Sequence, residues 1–346
     1  MTKIDIISGF LGAGKTTLIK KLIKEALGGE KVVLIENEFG EIGIDGGFLK
    51  EAGIEITEMN SGCICCTLVG DFGAALKDVI TKYSPDRIII EPSGVGKLSD
   101  VIKAVADVKK DFEDVSLNSF ITVADAGKTT MYMKNFGEFF NDQIENANTI
   151  VLSRTAKTAE NKLEKAVAAI KEHNDKAVII TTDWDSLTGK QILDTMEKAA
   201  GEVKNLLFTE EELESCGHHH DHEHEEGHEC GCGHHHDHEH EEGHECGCGH
   251  HHHHADEVFD SWGITTPKRF TKETLEKILD KLAWGNGLGI ILRAKGIVQS
   301  ESDEWLEFDL TPGEFEVRTG APDVTGKLCV IGSRLKKDDI KALFEV

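Results

Sequence analysis

Gly9-Phe10-Leu11-Gly12-Ala13-Gly14-Lys15-Thr16 fits the pattern G-x-x-x-x-G-K-[ST] and decides the fold. It stands between a short apolar stretch, residues 4–7, and a run over 16–26 in which Leu18, Ile19, Leu22 and Ile23 recur at helical spacing. Glycines at these offsets let backbone N–H groups converge on phosphate oxygens, and a helix beginning here adds its positive dipole end. Lys15 is placed to reach β- and γ-phosphates, and the Thr16 hydroxyl to ligate Mg²⁺. The expected nucleotide contacts are therefore Gly9, Gly12, Ala13, Gly14, Lys15, Thr16 and Thr17. A glycine turn beside a surface lysine is the bland alternative, and it would not need the strand–loop–helix context present here.

Outward from the loop, the first 200 residues alternate strand-like and helix-like stretches. Strands are expected at 4–7, 32–35, 54–59, 87–90, 117–124, 149–152 and 178–181, and helices near 16–26, 69–82, 98–106 and 159–171. Strands apolar on both faces, alternating with helices, read as a mostly parallel sheet covered on both sides, an α/β nucleoside triphosphatase of the phosphate-loop type. Beyond residue 258 the character changes. Helices at 271–282 and 336–344 and strands at 289–298, 305–310, 315–318 and 327–331 make a small α+β domain. The expected organisation is a nucleotide domain over 1–205, a metal-binding linker over 206–257 and a C-terminal domain over 258–346.

Glu91 ends the apolar strand 87–90 and precedes Pro92-Ser93-Gly94. A carboxylate at the carboxyl end of a central strand is where a Walker-B acid holds Mg²⁺ through water, and Gly94 could donate its N–H to a γ-phosphate. Lys15 and Glu91 are thus the expected catalytic pair, a strand-end cap being the plainer reading of Glu91. Between these elements, Glu36-Asn37-Glu38-Phe39-Gly40-Glu41 and then Asp45 lie where a nucleotide-sensing switch belongs.

Gly62-Cys63-Ile64-Cys65-Cys66 places three thiols within four residues. Such spacing does not suit mutual disulfides but can aim two or three sulfurs at one ion, and a nearby helix N-terminus favours thiolate. Cys63, Cys65 and Cys66, with a carboxylate such as Glu36 or Glu41, would form an open site from which metal could be handed on. Inert buried cysteines are the alternative.

A second metal-binding element spans residues 216–254, which hold 17 of the 18 histidines and five of the nine cysteines. The 16-residue unit CGHHHDHEHEEGHECG begins at Cys216, repeats at Cys232 and starts again at Cys248. With ten Asp/Glu, no Lys or Arg and no apolar face, this tract is expected to be disordered. His218, His219, His220, Cys230, Cys232, His234, His235, His236, Cys246 and Cys248 are candidate ligands. Imidazole and thiolate suit zinc, nickel, cobalt or copper better than calcium or magnesium. An acidic spacer or a purification tag would not repeat Cys-Gly and Glu pairs within the chain.

The chain has 346 residues, 39% of them hydrophobic, enough for about two domains with real cores. A net charge of −25 argues against a nucleic-acid partner. No signal peptide or membrane-spanning run is recognisable, and the tight cysteine spacings suit a reducing compartment, so the cytoplasm is expected.

On the loop GFLGAGKTT, the segment ENEFGEIGID, the GCICC cluster, the turn EPSG, the histidine-rich linker and the small C-terminal domain, the chain resembles the CobW-type metallochaperone GTPases. These are relatives of the urease and hydrogenase nickel-insertion GTPases. The resemblance implies a GTP-hydrolysing, Mg²⁺-dependent carrier that binds zinc first, or cobalt or nickel, at the cysteine motif and passes it to a client metalloprotein. By position it makes Lys15 and Thr16 the nucleotide and magnesium residues, Glu91 the Walker-B acid, and Cys63, Cys65 and Cys66 the metal site, with Glu36 and Glu41 assisting. One departure stands out: Ser153-Arg154-Thr155-Ala156 occupies the place of the guanine-reading N-K-x-D, so the aspartate that pairs with guanine is missing. Arg154 could still lay its stem on the base. Rival readings are a storage or buffering protein with a regulatory nucleotide site, and a cobalamin-pathway or metalloenzyme activation factor; a homodimer stays open.

Overall fold

A computed structural model of the chain describes residues 1–37, 55–59, 69–112, 114–207, 255–285, 287–302 and 304–346. Glu41, the cysteines of the GCICC cluster and the whole histidine tract lie outside these residues.

Seven strands form the first sheet among the described residues: β1 (Thr2–Gly9), β2 (Val32–Asn37), β3 (Glu55–Met59), β4 (Arg87–Glu91), β5 (Val115–Asp125), β6 (Thr149–Ser153) and β7 (Val178–Ile180). Their order is β3-β2-β4-β1-β5-β6-β7, and every pairing is parallel. The strands are apolar on both faces because successive side chains point to opposite sides and both sides are covered. Ile4, Ile6, Ile88, Ile90, Val33 and Ile35 face one core, and Ile7, Ile89, Val32 and Leu34 the other. Helices α2 (Val69–Tyr83), α3 (Leu98–Lys109), α4 (Thr129–Glu145) and α5 (Glu160–His173) belong to the first side. The second is covered by α1 (Lys15–Glu25) and α6 (Gly189–Leu207). The doubly covered parallel sheet read from the alternation is what forms.

Helices α4 and α6 are additions to the elements read from the sequence. In α4 the backbone leaves helical geometry at Phe136 (φ −137°, ψ 35°), next to Gly137. Its apolar residues Tyr132, Phe136, Phe139, Phe140 and Ile144 are nevertheless buried.

After a short helix, α7 (Ala255–Val258), the chain builds a second sheet from β8 (Asp260–Thr266), β9 (Arg269–Phe270), β10 (Ile290–Ser300), β11 (Trp305–Thr311), β12 (Glu314–Gly320) and β13 (Gly326–Ser333). The order β12-β11-β10-β13-β8 is antiparallel throughout, with β9 added in parallel to β10. Strands β8 and β9 were not expected from the sequence. Helices α8 (Lys272–Trp284) and α9 (Lys337–Phe344) contribute to a core on one face, where Leu328 and Val330 point. The alternate residues Cys329 and Ile331, with Leu292, point the other way and join the core of the first sheet. Phe259, at the entrance to β8, packs among Phe10, Phe136 and Phe139 with ring centroids 6.1, 5.5 and 5.0 Å away. One hydrophobic core therefore runs between the two sheets.

Candidate nucleotide-binding site

The segment that decides the fold joins the carboxyl end of the central strand β1 to α1. Phe10 is wholly buried against Tyr132, Phe136 and Phe140 of α4, with centroids 4.7, 5.5 and 5.7 Å apart, and this anchors the loop from below. Ala13 is buried in the opposite core. Gly14 directly precedes α1, so the unpaired N–H groups of the first helical turn face the loop. Lys15 is buried and its Nζ donates to the carbonyl of Gly9 at 2.9 Å, holding the ammonium within the loop. Thr17 is exposed on the first turn.

Thr16 Oγ1 donates to the Glu91 carboxylate, at 3.0 and 3.2 Å from its two oxygens. Glu91 reaches this position because β4 pairs with β1 and ends level with the loop. A hydroxyl and a carboxylate in contact form an all-oxygen donor set, which fits a hard ion such as Mg²⁺. Across the sheet, Glu36 on β2 is in direct register with Glu91.

The loop after Glu91 lies against the phosphate loop. A Cβ added to Gly94 would come 2.9 Å from the Leu11 nitrogen, so no side chain fits between them. Gln143 of α4, fully buried, donates Nε2 to the Gly96 carbonyl at 2.7 Å and approaches that of Gly94 at 3.5 Å. The helix carrying the Phe10 cluster thus also fixes the Gly94–Gly96 turn.

Arg154, in a left-handed backbone conformation (φ 57°), follows β6. Its guanidinium donates to the Gly12 carbonyl at 3.0 Å and pairs with Asp125, which ends β5. Ser153 Oγ and Thr155 Oγ1 beside it are buried and make no hydrogen bond. Trp184, after β7, donates Nε1 to the Leu152 carbonyl at 3.0 Å, and its ring would lie 3.2 Å from a Cβ on Gly14. The C-terminal domain arrives at the same rim, where a Cβ on Gly12 would fall 2.2 Å from Thr311 Cγ2.

The structure therefore gathers Gly9, Gly12, Ala13, Gly14, Lys15, Thr16, Glu91, Gly94 and Arg154 around one loop, and places Glu36 beside Glu91. Sequence reasoning missed Asp125, Gln143 and Trp184. Asp125 could have been found by the rule that singled out Glu91, a carboxylate closing a central strand. Cys63, Cys65, Cys66, Glu41 and the tract ligands His218, His219, His220, Cys230, Cys232, His234, His235, His236, Cys246 and Cys248 fall outside the described residues.

Two family models match the chain: the CobW/HypB/UreG nucleotide-binding domain over residues 3–181, and the cobalamin synthesis protein CobW C-terminal domain over residues 259–346. The chain is 30% identical over 255 residues to a protein of Sinorhizobium sp named zinc chaperone CobW, covering 65% of this chain and 68% of that one. It is 33% identical over 159 residues to a zinc chaperone named YeiR of Escherichia coli strain K12, covering 46% of this chain and 48% of the relative. A crystal structure of the Zn(II)-bound YjiA GTPase from E. coli is similar over 99% of this chain and 98% of that one, with 19% identity and a TM-score of 0.45.

Proposed function

The chain belongs to the CobW/HypB/UreG family, and from that premise we propose that it is a GTPase that carries a transition metal, zinc first and cobalt or nickel otherwise, to a client metalloprotein in the cytoplasm. The observation that supports this most directly is the Thr16–Glu91 contact beside a buried Lys15 at the carboxyl end of β1 and β4. In this reading Lys15 exchanges the Gly9 carbonyl for phosphate oxygens and offsets their charge as GTP binds. Thr16 and Glu91 would hold Mg²⁺, which would supply positive charge to the phosphates. The Gly94 N–H, kept against Leu11 by Gln143, faces the γ-phosphate, and the Arg154 stem supports the base.

The metal is cargo. Its proposed site is Cys63, Cys65 and Cys66 with Glu36 and Glu41, and the histidine tract is a low-specificity reservoir that loads it. Glu36 stands in register with Glu91 on the neighbouring strand. The segment leading to the cysteines therefore departs from beside the nucleotide's magnesium acid, which supports a metal affinity that depends on the nucleotide. The abundance of tract histidines favours a second reading, a zinc buffer whose nucleotide site is regulatory. Among the described residues no helix is long and apolar enough to cross a membrane.

The two readings separate in a zinc titration against a chelating competitor, using a variant lacking residues 216–254. A carrier should show affinities that differ by about 5–150-fold between GTPγS–Mg²⁺ and GDP–Mg²⁺, the usual range of such coupling. Zinc affinity at thiolates should also fall as pH drops from about 8 to 6. Equal affinities in both nucleotide states would leave the buffer as the better account.

A further inference from the structure

The turn between β11 and β12 is Pro312-Gly313, with Gly313 at φ +79°, a conformation suited to a tight two-residue connection. It brings Thr311 and Glu314 of the C-terminal domain onto the rim of the phosphate loop. Lys128 Nζ donates to Thr311 Oγ1 at 2.8 Å and to Glu314 Oε1 at 3.1 Å. Arg154 pairs with the same Glu314 oxygen at 3.1 Å, and Thr311 Oγ1 donates to it at 3.0 Å. Burial alone would raise the Glu314 carboxyl, yet the charges of Lys128 and Arg154 outweigh it and hold this group below the usual range. Glu314 therefore remains ionised at neutral pH between two cations. Of these, Arg154 also holds the Gly12 carbonyl.

We propose that Glu314 is a positioning residue of the nucleotide site supplied by the C-terminal domain, holding the Arg154 head so that its stem and the Gly12 peptide are set for nucleotide. This rests on the reading of the phosphate loop as a GTP site. Without Glu314, Arg154 keeps Asp125 and the Gly12 carbonyl but loses the partner that limits its swing. Nucleotide binding and seating of the hairpin then form one linked equilibrium, in which each must favour the other by the same factor.

The test uses the full chain with Glu314→Ala, Glu314→Gln and Arg318→Gln. Arg318 sits on the same strand and pairs with Glu307 and Glu316. Glu314→Ala should raise KM for GTP about fivefold or more with kcat little changed, and Glu314→Gln should raise it less. Added salt should narrow the gap to wild type, since the cluster is partly exposed. Hydrogen exchange at residues 311–314 should slow when mant-GDP is added to wild type and should not change in Glu314→Ala. An unaltered KM and exchange response in Glu314→Ala overturns the proposal. So does an equal KM rise in Arg318→Gln, which would reveal general loosening of the hairpin. Failure of wild type to bind mant-GDP would refute the GTPase reading itself.

Discussion

Lys15 carries the only side-chain cation in the segment Gly9–Thr16, and it is buried with its ammonium on the Gly9 carbonyl. Lys15→Ala should lower kcat for GTP hydrolysis by about 10²-fold or more, the scale of losing one preorganised charge at a developing anion. Turnover equal to wild type would remove the loop from the chemistry. A few residues away, base recognition depends on a different balance. Ala156 offers no side-chain acceptor, while the Ser153 and Thr155 hydroxyls are buried without partners. A hydroxyl can donate or accept, so neither group could distinguish guanine from adenine as an aspartate does. Charge-assisted hydrogen bonds contribute roughly 1.5–3 kcal/mol, so the missing aspartate forfeits discrimination of that order. ATP should consequently displace labelled GTP with a penalty well short of four orders of magnitude. A larger preference for GTP would mean that another element reads the base.

At the scale of elements, α4 connects more of the molecule than any sequence signal suggests. Its aromatic face meets Phe10 below the phosphate loop and Phe259 at the start of the C-terminal domain, while Gln143 fixes the Gly94–Gly96 turn. Phe259→Ala would leave a hole among Phe10, Phe136 and Phe139, costing about 3–5 kcal/mol by the usual scale for buried phenylalanine. Chemical denaturation should register that loss, and a change under about 1 kcal/mol would show that the cleft collapses around the missing ring. The parallel sheet and its loop were legible because their causes are local: alternation fixes the strands, and Lys15, Thr16, Glu91 and Gly94 occupy short motifs. Asp125 was open to the strand-end rule that found Glu91, whereas Trp184 reaches the site only through strand order and Glu314 only through domain packing, neither of which is written in spacing. Helix α4 was overlooked although Tyr132, Phe136, Phe139, Phe140 and Ile144 keep helical spacing through it.

For the whole molecule, the histidine tract and the two sheets separate by chemistry. Cysteine apart, residues 216–254 contain no side chain suited to a hydrophobic core, and shortening a long connection changes closure entropy only slowly. Deleting them should leave GTP turnover within about twofold while removing most of the bound zinc per chain, measured after dialysis by metal analysis. A large fall in melting temperature in metal-free buffer would instead assign the tract a structural part.

The shared core has a further consequence for the integrity of the chain. Where the described chain resumes, Ala255 and Phe259 are buried at 0% and 2% exposure in the core of the first sheet, beside Leu292, Cys329 and Ile331. The two halves are therefore fastened by side chains, and this packing should hold them together without the covalent connection through residues 208–254. Cutting that tether at one engineered protease site should yield two polypeptides that co-elute on size exclusion, and separately expressed halves should reassemble into a nucleotide-binding particle. Halves that drift apart in native buffer would show that covalent proximity, and not the interlocked aromatic core, keeps the C-terminal sheet on the phosphate loop.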